Sequence, residues 1–291
     1  MKNRLWLNVA LLAAIAVLSL FAYFKPHKNE PEHRLSALKP ADVKTIRIEV
    51  TGSPPFVLAR TASDWRLAAP LTARADSFQT QRLLAILDAT SKNRLPAARL
   101  ARFDLNEPYA RLTVDQQTFS FGAVSQMSRE QYVLTQDGVY LVPLRYGAAL
   151  PKSALQLVSK QLFAADEAPV AFEFKEFGLA QQDGKWVMSP TAADTSQDDI
   201  NRWIDEWRLA TALAVQAADN REPLTTIKVR LRGGSGLTLA VLQREPELML
   251  ARSDQPFAYQ FVGDAAKRLL APPAAESPAI PDNRAITNHG G

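Results

Sequence analysis

The stretch from Trp65 to Leu87, WRLAAPLTARADSFQTQRLLAIL, returns in degenerate form as Trp186 to Trp207, WVMSPTAADTSQDDINRWIDEW. In both copies a strand ends in a Trp, a Pro follows (Pro70, Pro190), a polar Asp/Ser-rich segment comes next, and an amphipathic helix completes the pattern. Glu107-Pro108 is echoed by Glu222-Pro223, and the alternation of Leu112 and Val114 by that of Ile227, Val229 and Leu231. A chain written twice must bury two similar apolar faces. The repeat therefore specifies architecture and says little about chemistry.

In the first module, Val43 to Val50 alternates apolar and polar residues, the period of a half-buried strand, and Gly52-Ser53-Pro54-Pro55 turns it. Phe56 to Leu58 and Asp64 to Leu67 continue a meander. Ala75-Asp76-Ser77 offers a cap to a helix with Leu83, Leu84 and Leu87 on one face, limited by Pro96. Beyond a turn-like connector, Phe103 to Pro108, the strands Arg111–Val114, Thr118–Phe121, Gln131–Leu134 and Val139–Val142 follow, with a hairpin turn at Asp137-Gly138. A short helix from about Pro151 to Phe163 closes the module. In the second, Val170, Phe172 and Phe174 alternate, Asp183-Gly184 turns a hairpin, and Ile200, Trp203, Ile204 and Trp207 mark one helix face. Gly233-Gly234-Ser235-Gly236 reads as a further turn.

Ahead of the repeat, Leu5 to Phe24 is an uncharged apolar run with Trp6 and Tyr23 near its ends, the length and flanks of an uncleaved transmembrane helix. The expected organisation is a cytoplasmic tail (1–4), an anchor (5–24), a tether (25–34), a first α+β module (35–165), a second (166–271) and a disordered tail (272–291). The fold class is α+β: an N-terminal transmembrane helix, then two repeated modules of antiparallel sheet, each covered by a helix. Lys2 and Arg4 on one side face Lys25, Lys28, Arg34 and Lys39 on the other, so the positive-inside count does not decide orientation. The shortness of the charged tail places it in the cytoplasm in this reading, leaving the bulk periplasmic.

Several functions are argued against by composition. A net charge of +4, without dense Lys/Arg blocks interleaved with aromatics, speaks against nucleic-acid binding. With no cysteine there is no thiolate nucleophile or Cys-bound metal. His27, His33 and His289 are all placed outside the folded part, which leaves no histidine for catalysis within it. Asp194, Asp198 and Asp199, with Asp205 and Glu206 beyond, could be read as oxygen ligands for a hard cation, but their place at a helix start is explained by capping and the helix dipole. The Gly233–Gly236 run lacks the Lys-Ser/Thr ending of a phosphate loop. Trp203 and Trp207 read as core in preference to a stacking platform, and Lys152-Ser153 and Ser159-Lys160 as a polar helix face in preference to a Ser-Lys nucleophile. No catalytic, cofactor-binding or metal-binding residue is assigned, no cofactor is expected, and the chain is not read as an enzyme.

Leu38-Lys39-Pro40-Ala41-Asp42-Val43 with Ile46, Trp65-Arg66-Leu67 to Pro70, Ala75-Asp76, Leu105 with Pro108, Phe121-Gly122, Tyr132-Val133-Leu134 and Val139-Tyr140-Leu141 together resemble the bacterial family DUF4340, a domain of unknown function. The likeness covers about 35–163, and the second module only through the repeat. The chain departs from the family at Asp104, where a Gly usually precedes the Leu, and in the closing helix, which lacks a Leu-Arg-Asp run. The resemblance implies a membrane-anchored envelope protein, with relatives beside ABC-type transport and gliding-motility components and no catalytic residues to carry over. Two functions are thus expected: a non-catalytic periplasmic interaction or scaffold domain held at the inner membrane by Leu5 to Phe24, with a protein partner in the envelope, or a small-ligand or glycan receptor using the cleft between modules.

Overall fold

A computed structural model describes residues 32–273, except 63, 192–194 and 219–220, together with Trp6, Leu11 and positions 13–17 and 19–20. Two residues, β1 (His33–Arg34), lead into the first sheet. In β2 (Thr45–Val50) the predicted alternation is realised: Ile46 and Ile48 are buried between exposed neighbours. β3 (Phe56–Arg60), β4 (Trp65–Ala69) and β5 (Ala73–Arg74) continue the meander. Helix α1 (Ser77–Leu84) starts where the Asp76 carboxylate accepts the Gln79 N–H at 2.9 Å, and a 3-10 turn over Ala85–Asp88 extends its buried face through Ile86 and Leu87. Short strands β6 (Thr90–Ser91) and β7 (Arg94–Leu95) come next. A meander of β8 (Ala110–Val114), β9 (Gln117–Val124), β10 (Glu130–Thr135) and β11 (Gly138–Pro143) ends in a one-turn helix α2 (Arg145–Ala148).

The second half contains β12 (Pro169–Glu173), β13 (Gly178–Gln182), β14 (Lys185–Ser189), helix α3 (Gln197–Arg208), β15 (Ala214–Ala217), β16 (Thr225–Leu231), β17 (Gly236–Gln243), β18 (Leu248–Arg252), β19 (Phe257–Phe261) and helix α4 (Gly263–Leu270). The fold is α+β, with antiparallel sheets and few helices. The nine-stranded first sheet runs β5-β4-β3-β2-β8-β9-β10-β11-β7 and the eight-stranded second runs β14-β13-β12-β16-β17-β18-β19-β15. Apart from β5 the two orders correspond strand for strand, including the strand after the helix (β7, β15) that returns to pair with the last of the meander. The peptide bonds preceding Pro70 and Pro190 are both cis.

Both halves are also entered in the same way. The Leu35 N–H donates to the Ala89 carbonyl at 3.1 Å, and the Leu162 N–H to the Ala210 carbonyl at 2.9 Å. Both leucines are fully buried, each beside the segment that leaves the covering helix. One apolar core runs through the molecule, from Leu35 and Ile46 on the first sheet through Leu157 and Leu162 to Trp207 and Phe257 on the second.

Four expectations need correction. No helix spans 151–163: after a 3-10 turn at Ala154–Leu157, the backbone at Val158 is extended, and the residues that follow bond laterally to both halves. The tryptophans do not end their strands, since Trp65 opens β4 and Trp186 is second in β14. His33 is not outside the fold, because it pairs with Ser91 in a two-stranded sheet. Arg34 of the expected tether lies in that same sheet. Among the described residues no helix is long and apolar enough to cross a membrane; most of the expected anchor, Leu5 to Phe24, lies outside them. Asp194, His27, His289 and 274–291 also lie outside the described residues.

Candidate functional site

The two halves meet on one segment. The Ser159 N–H donates to the Arg74 carbonyl and the Asp76 N–H to the Leu157 carbonyl, both at 2.8 Å; on its other side Ala212 donates to Lys160 at 2.8 Å. The segment is thus hydrogen-bonded to both halves. An arginine from each half then grips its carbonyls. Arg74 donates to Gln161 at 2.6 Å and to Phe163 at 3.3 Å. The Arg252 guanidinium, whose side chain is 2% exposed, donates to the Leu162 carbonyl at 2.6 Å, to Glu167 at 2.7 and 2.8 Å and to Asp254 at 2.9 Å.

Electrostatics follow from this packing. Burial raises the Glu167 carboxyl, but the Arg252 hydrogen bonds and the Ala164 N–H outweigh it and hold Glu167 below its usual range. The Arg252 hydrogen bond, against partial burial, holds Asp254 low as well. Burial would lower the Arg252 value, yet its two carboxylates raise it, so the guanidinium stays charged in the interior. Tyr259, beneath the cluster, is pushed up chiefly by burial and donates to Gln255 at 2.8 Å.

Beside this seam lies a cleft of about 680 Å³, open to solvent, with Arg66, Lys160, Asp64 and Asp166 at its rim and the exposed Phe78 on its wall. Trp65 contributes little surface because its ring is buried in the core. Charges of both signs share the rim, and no single ligand charge is selected.

The far end of the first sheet has a different character. Gln131 pairs with Val124 (47% exposed) across the sheet and donates to the hydroxyl of Tyr109 (43%) at 3.0 Å, and at the same sheet end Met127 (99%) lies in the β9–β10 loop and Leu144 (43%) follows β11. Gly147 lets α2 close on this point, since a Cβ there would lie 2.7 Å from the Tyr109 hydroxyl and collide with Gln131 Oε1. A shallow groove of about 600 Å³ lined by Asp104, Asn106, Glu107 and Tyr109 adjoins the apolar residues. Asp104 is left-handed here (φ 52°), a conformation in which glycine is unstrained, so the departure from the family's glycine falls at a position that requires positive φ.

The predicted candidates are distributed as follows. Asp199 belongs to a capping box: its carboxylate accepts the Ser196 hydroxyl at 2.6 Å and N–H at 3.1 Å, and these bonds keep it ionised below the usual range. Asp198 lies in the same helical turn, and Asp205 pairs with Arg208 at 3.3 Å. Among the described residues no His, Cys, Asp and Glu cluster suits a metal ion. Trp203 and Trp207 are buried with ring centroids 5.8 Å apart, against Phe172 and Phe174. Gly233–Gly236 turns β16 into β17. Ser153, Ser159 and Lys160 sit at the ends of the 3-10 turn and on the seam, not on a helix face. The Arg252 cluster is not legible in the sequence because Leu162 and Glu167 lie 90 and 85 positions from Arg252, and Asp254, two residues on, marks no site by itself.

Two like antiparallel sheets joined by a shared segment, with cleft and apolar end both open to solvent, define a two-sheet α+β protein. Residues 65–219, more than half of the chain, match the model of DUF4340, a domain of unknown function, and the chain belongs to that family. The match starts later than the resemblance read at 35–163 and continues into the second half through α3. No curated protein and no solved structure matches the chain.

Proposed function

We propose that this protein is a non-catalytic interaction module of the bacterial envelope, tethered to the inner membrane by Leu5 to Phe24, with its bulk periplasmic and the apolar end of its first sheet presented to a protein partner. The observation that carries this reading is the exposure of Tyr109, Val124, Met127 and Leu144 at one end of the first sheet. That sheet end is at the opposite end of β9 from Gln117, which bonds to Leu35 where the chain arrives from the amino-terminal run. Eight strand residues place the two ends about 25 Å apart. The described positions of the amino-terminal run are helical, and Trp6, Leu11, Ile15, Val17 and Leu20 leave their side chains exposed, as a membrane-embedded segment requires. Confinement to a surface raises the effective concentration of module and partner without any chemical step. The two sheets, in this reading, descend from one duplicated unit. The cleft between them supports a small-ligand receptor less well, because Trp65 faces the core, which leaves Phe78 as its exposed aromatic, and the charges on its rim are of both signs.

The test is crosslinking of native membranes followed by co-purification with the full-length chain, with Met127→Glu/Val124→Asp, and with residues 32–291 on an unrelated anchor. Specific partners kept by the exchanged anchor and lost from the double variant support the reading. Identical partners with the double variant sink it, as does a soluble, cytoplasmic distribution of the full-length chain.

A further inference from the structure

The connector from Leu100 to Pro108 builds the groove beside the apolar end of the first sheet. Its apolar residues turn onto the sheet: Phe103 lies on Tyr132 with ring centroids 4.5 Å apart, and Leu105, 3% exposed, packs over Gly122. The Asp104 N–H donates to the Ala101 carbonyl at 3.3 Å and the Leu105 N–H to the Leu100 carbonyl at 3.1 Å, which tightens the turn between them. With Phe103 and Leu105 directed inward, Asp104, Asn106 and Glu107 stand exposed along one wall of the groove of about 600 Å³, and Tyr109 adjoins them beside Ala123. The wall is thus held by core contacts, which fix the carboxylates it carries.

The charge of this groove is of one sign. Asp104 and Glu107 line it, whereas Arg102, Arg111 and Arg129, near it along the chain or at the same sheet end, stand outside its lining. Neither carboxylate has a hydrogen-bond or ion-pair partner among the described residues. On other surfaces Glu49 is held by Arg47 at 2.9 Å, Glu173 by Lys228 at 3.1 Å and Glu206 by Arg268 at 2.9 Å. Beside the groove the exposed surface turns apolar, at Tyr109, Val124 and Met127. A segment that is basic at one position and apolar near it complements both parts. A wholly apolar segment would desolvate the two carboxylates without pairing them.

We propose that this groove binds a partner polypeptide through a basic side chain seated between Asp104 and Glu107, with a large apolar neighbour resting on Tyr109, Val124 and Met127. Lys and Arg both serve, since each lays an apolar stem along the groove while its charged head meets the carboxylates. The unbranched Met127 side chain adapts to apolar residues of different shape. The inference rests on the reading of the chain as an interaction module and adds the chemistry of the partner segment.

The experiment is selection of displayed random heptapeptides on the immobilised full-length protein, with Asp104→Asn/Glu107→Gln for counter-selection. Both substitutions are exposed and nearly isosteric, and Asn tolerates the left-handed backbone at position 104, so the melting point should be unchanged. The expected result is enrichment of peptides with Lys or Arg within two positions of a large apolar residue. A synthetic copy of the most enriched peptide should bind the double variant at least tenfold more weakly and lose affinity as salt rises from about 0.05 to about 0.5 M. Enriched peptides without a basic residue, equal binding to the double variant, or no enrichment overturns the proposal. Membrane partners lost from Met127→Glu/Val124→Asp but kept by Asp104→Asn/Glu107→Gln leave the interaction module standing and remove the basic contact alone.

Discussion

Arg252 and Glu167, 85 positions apart, are joined by two hydrogen bonds of 2.7 and 2.8 Å in which the guanidinium is almost wholly withdrawn from water. The pair ties β18 to the segment entering the second sheet. Removing one member of a buried pair leaves the other's charge without compensation. Arg252→Met should cost about 3 kcal/mol, the low end of the usual 3–5, because Glu167 keeps some access to solvent. Chemical denaturation checks it.

The same cluster predicts an acid limb. Glu167 and Asp254 both have depressed native values, so their contribution is complete above the unfolded values and is lost as pH falls through the native ones. Stability should stay flat from neutrality down to about pH 5, then fall below the ordinary Glu and Asp values of 4.5 and 3.8. In Arg252→Met the fall should be shallower. Denaturation midpoints across pH 3 to 7 in about half-unit steps give the comparison.

Trp203 and Trp207 should respond differently to the same substitution. Trp203 Nε1 donates to the Ala271 carbonyl at 2.7 Å, whereas the buried Trp207 Nε1 has no hydrogen-bond partner among the described residues. Trp203→Phe therefore orphans an acceptor at a cost of about 1–3 kcal/mol, while Trp207→Phe removes an unsatisfied donor and offsets part of its lost packing. Trp207→Ala should cost about 3–5 kcal/mol. Melting of the three variants tests the order.

Gly122 is required by a close approach. A Cβ there would overlap the Phe103 carbonyl and lie 2.8 Å from Leu105 Cγ. Gly122→Ala should destabilise by about 1–3 kcal/mol, as forced overpacking does, and should disturb the connector that carries Tyr109. Loss of partner capture alongside lowered stability would fit the proposed contact end.

Local signals were legible in the amino-acid sequence. Asp183-Gly184 turns the hairpin expected of it, the hairpin expected at Asp137-Gly138 turns one residue earlier, on Gln136-Asp137 with Gly138 opening β11, and the spacing of Ile200, Trp203, Ile204 and Trp207 places all four in the core. Pro151 suits the start of a helix over 151–163, whereas lateral bonding to Arg74 and Ala210, far away in sequence, makes the segment after Leu157 extended. β7 and β15 carried no clear alternation, being short edge strands whose existence depends on the completed meander. At the candidate contact end, exposure of Met127 is a property of the hairpin's position that composition cannot reveal.

The shared segment makes the molecule behave as a weldment. Peptide groups bonded on one side to Arg74–Asp76 and on the other to Ala210–Ala212 resist shear through several bonds at once, so a load on one sheet is carried to the other through this segment. A pull at α4 would thus be felt at Met127 as a rotation of the whole body, and bond geometry, not the statistics of a tether, sets the separation of the two points.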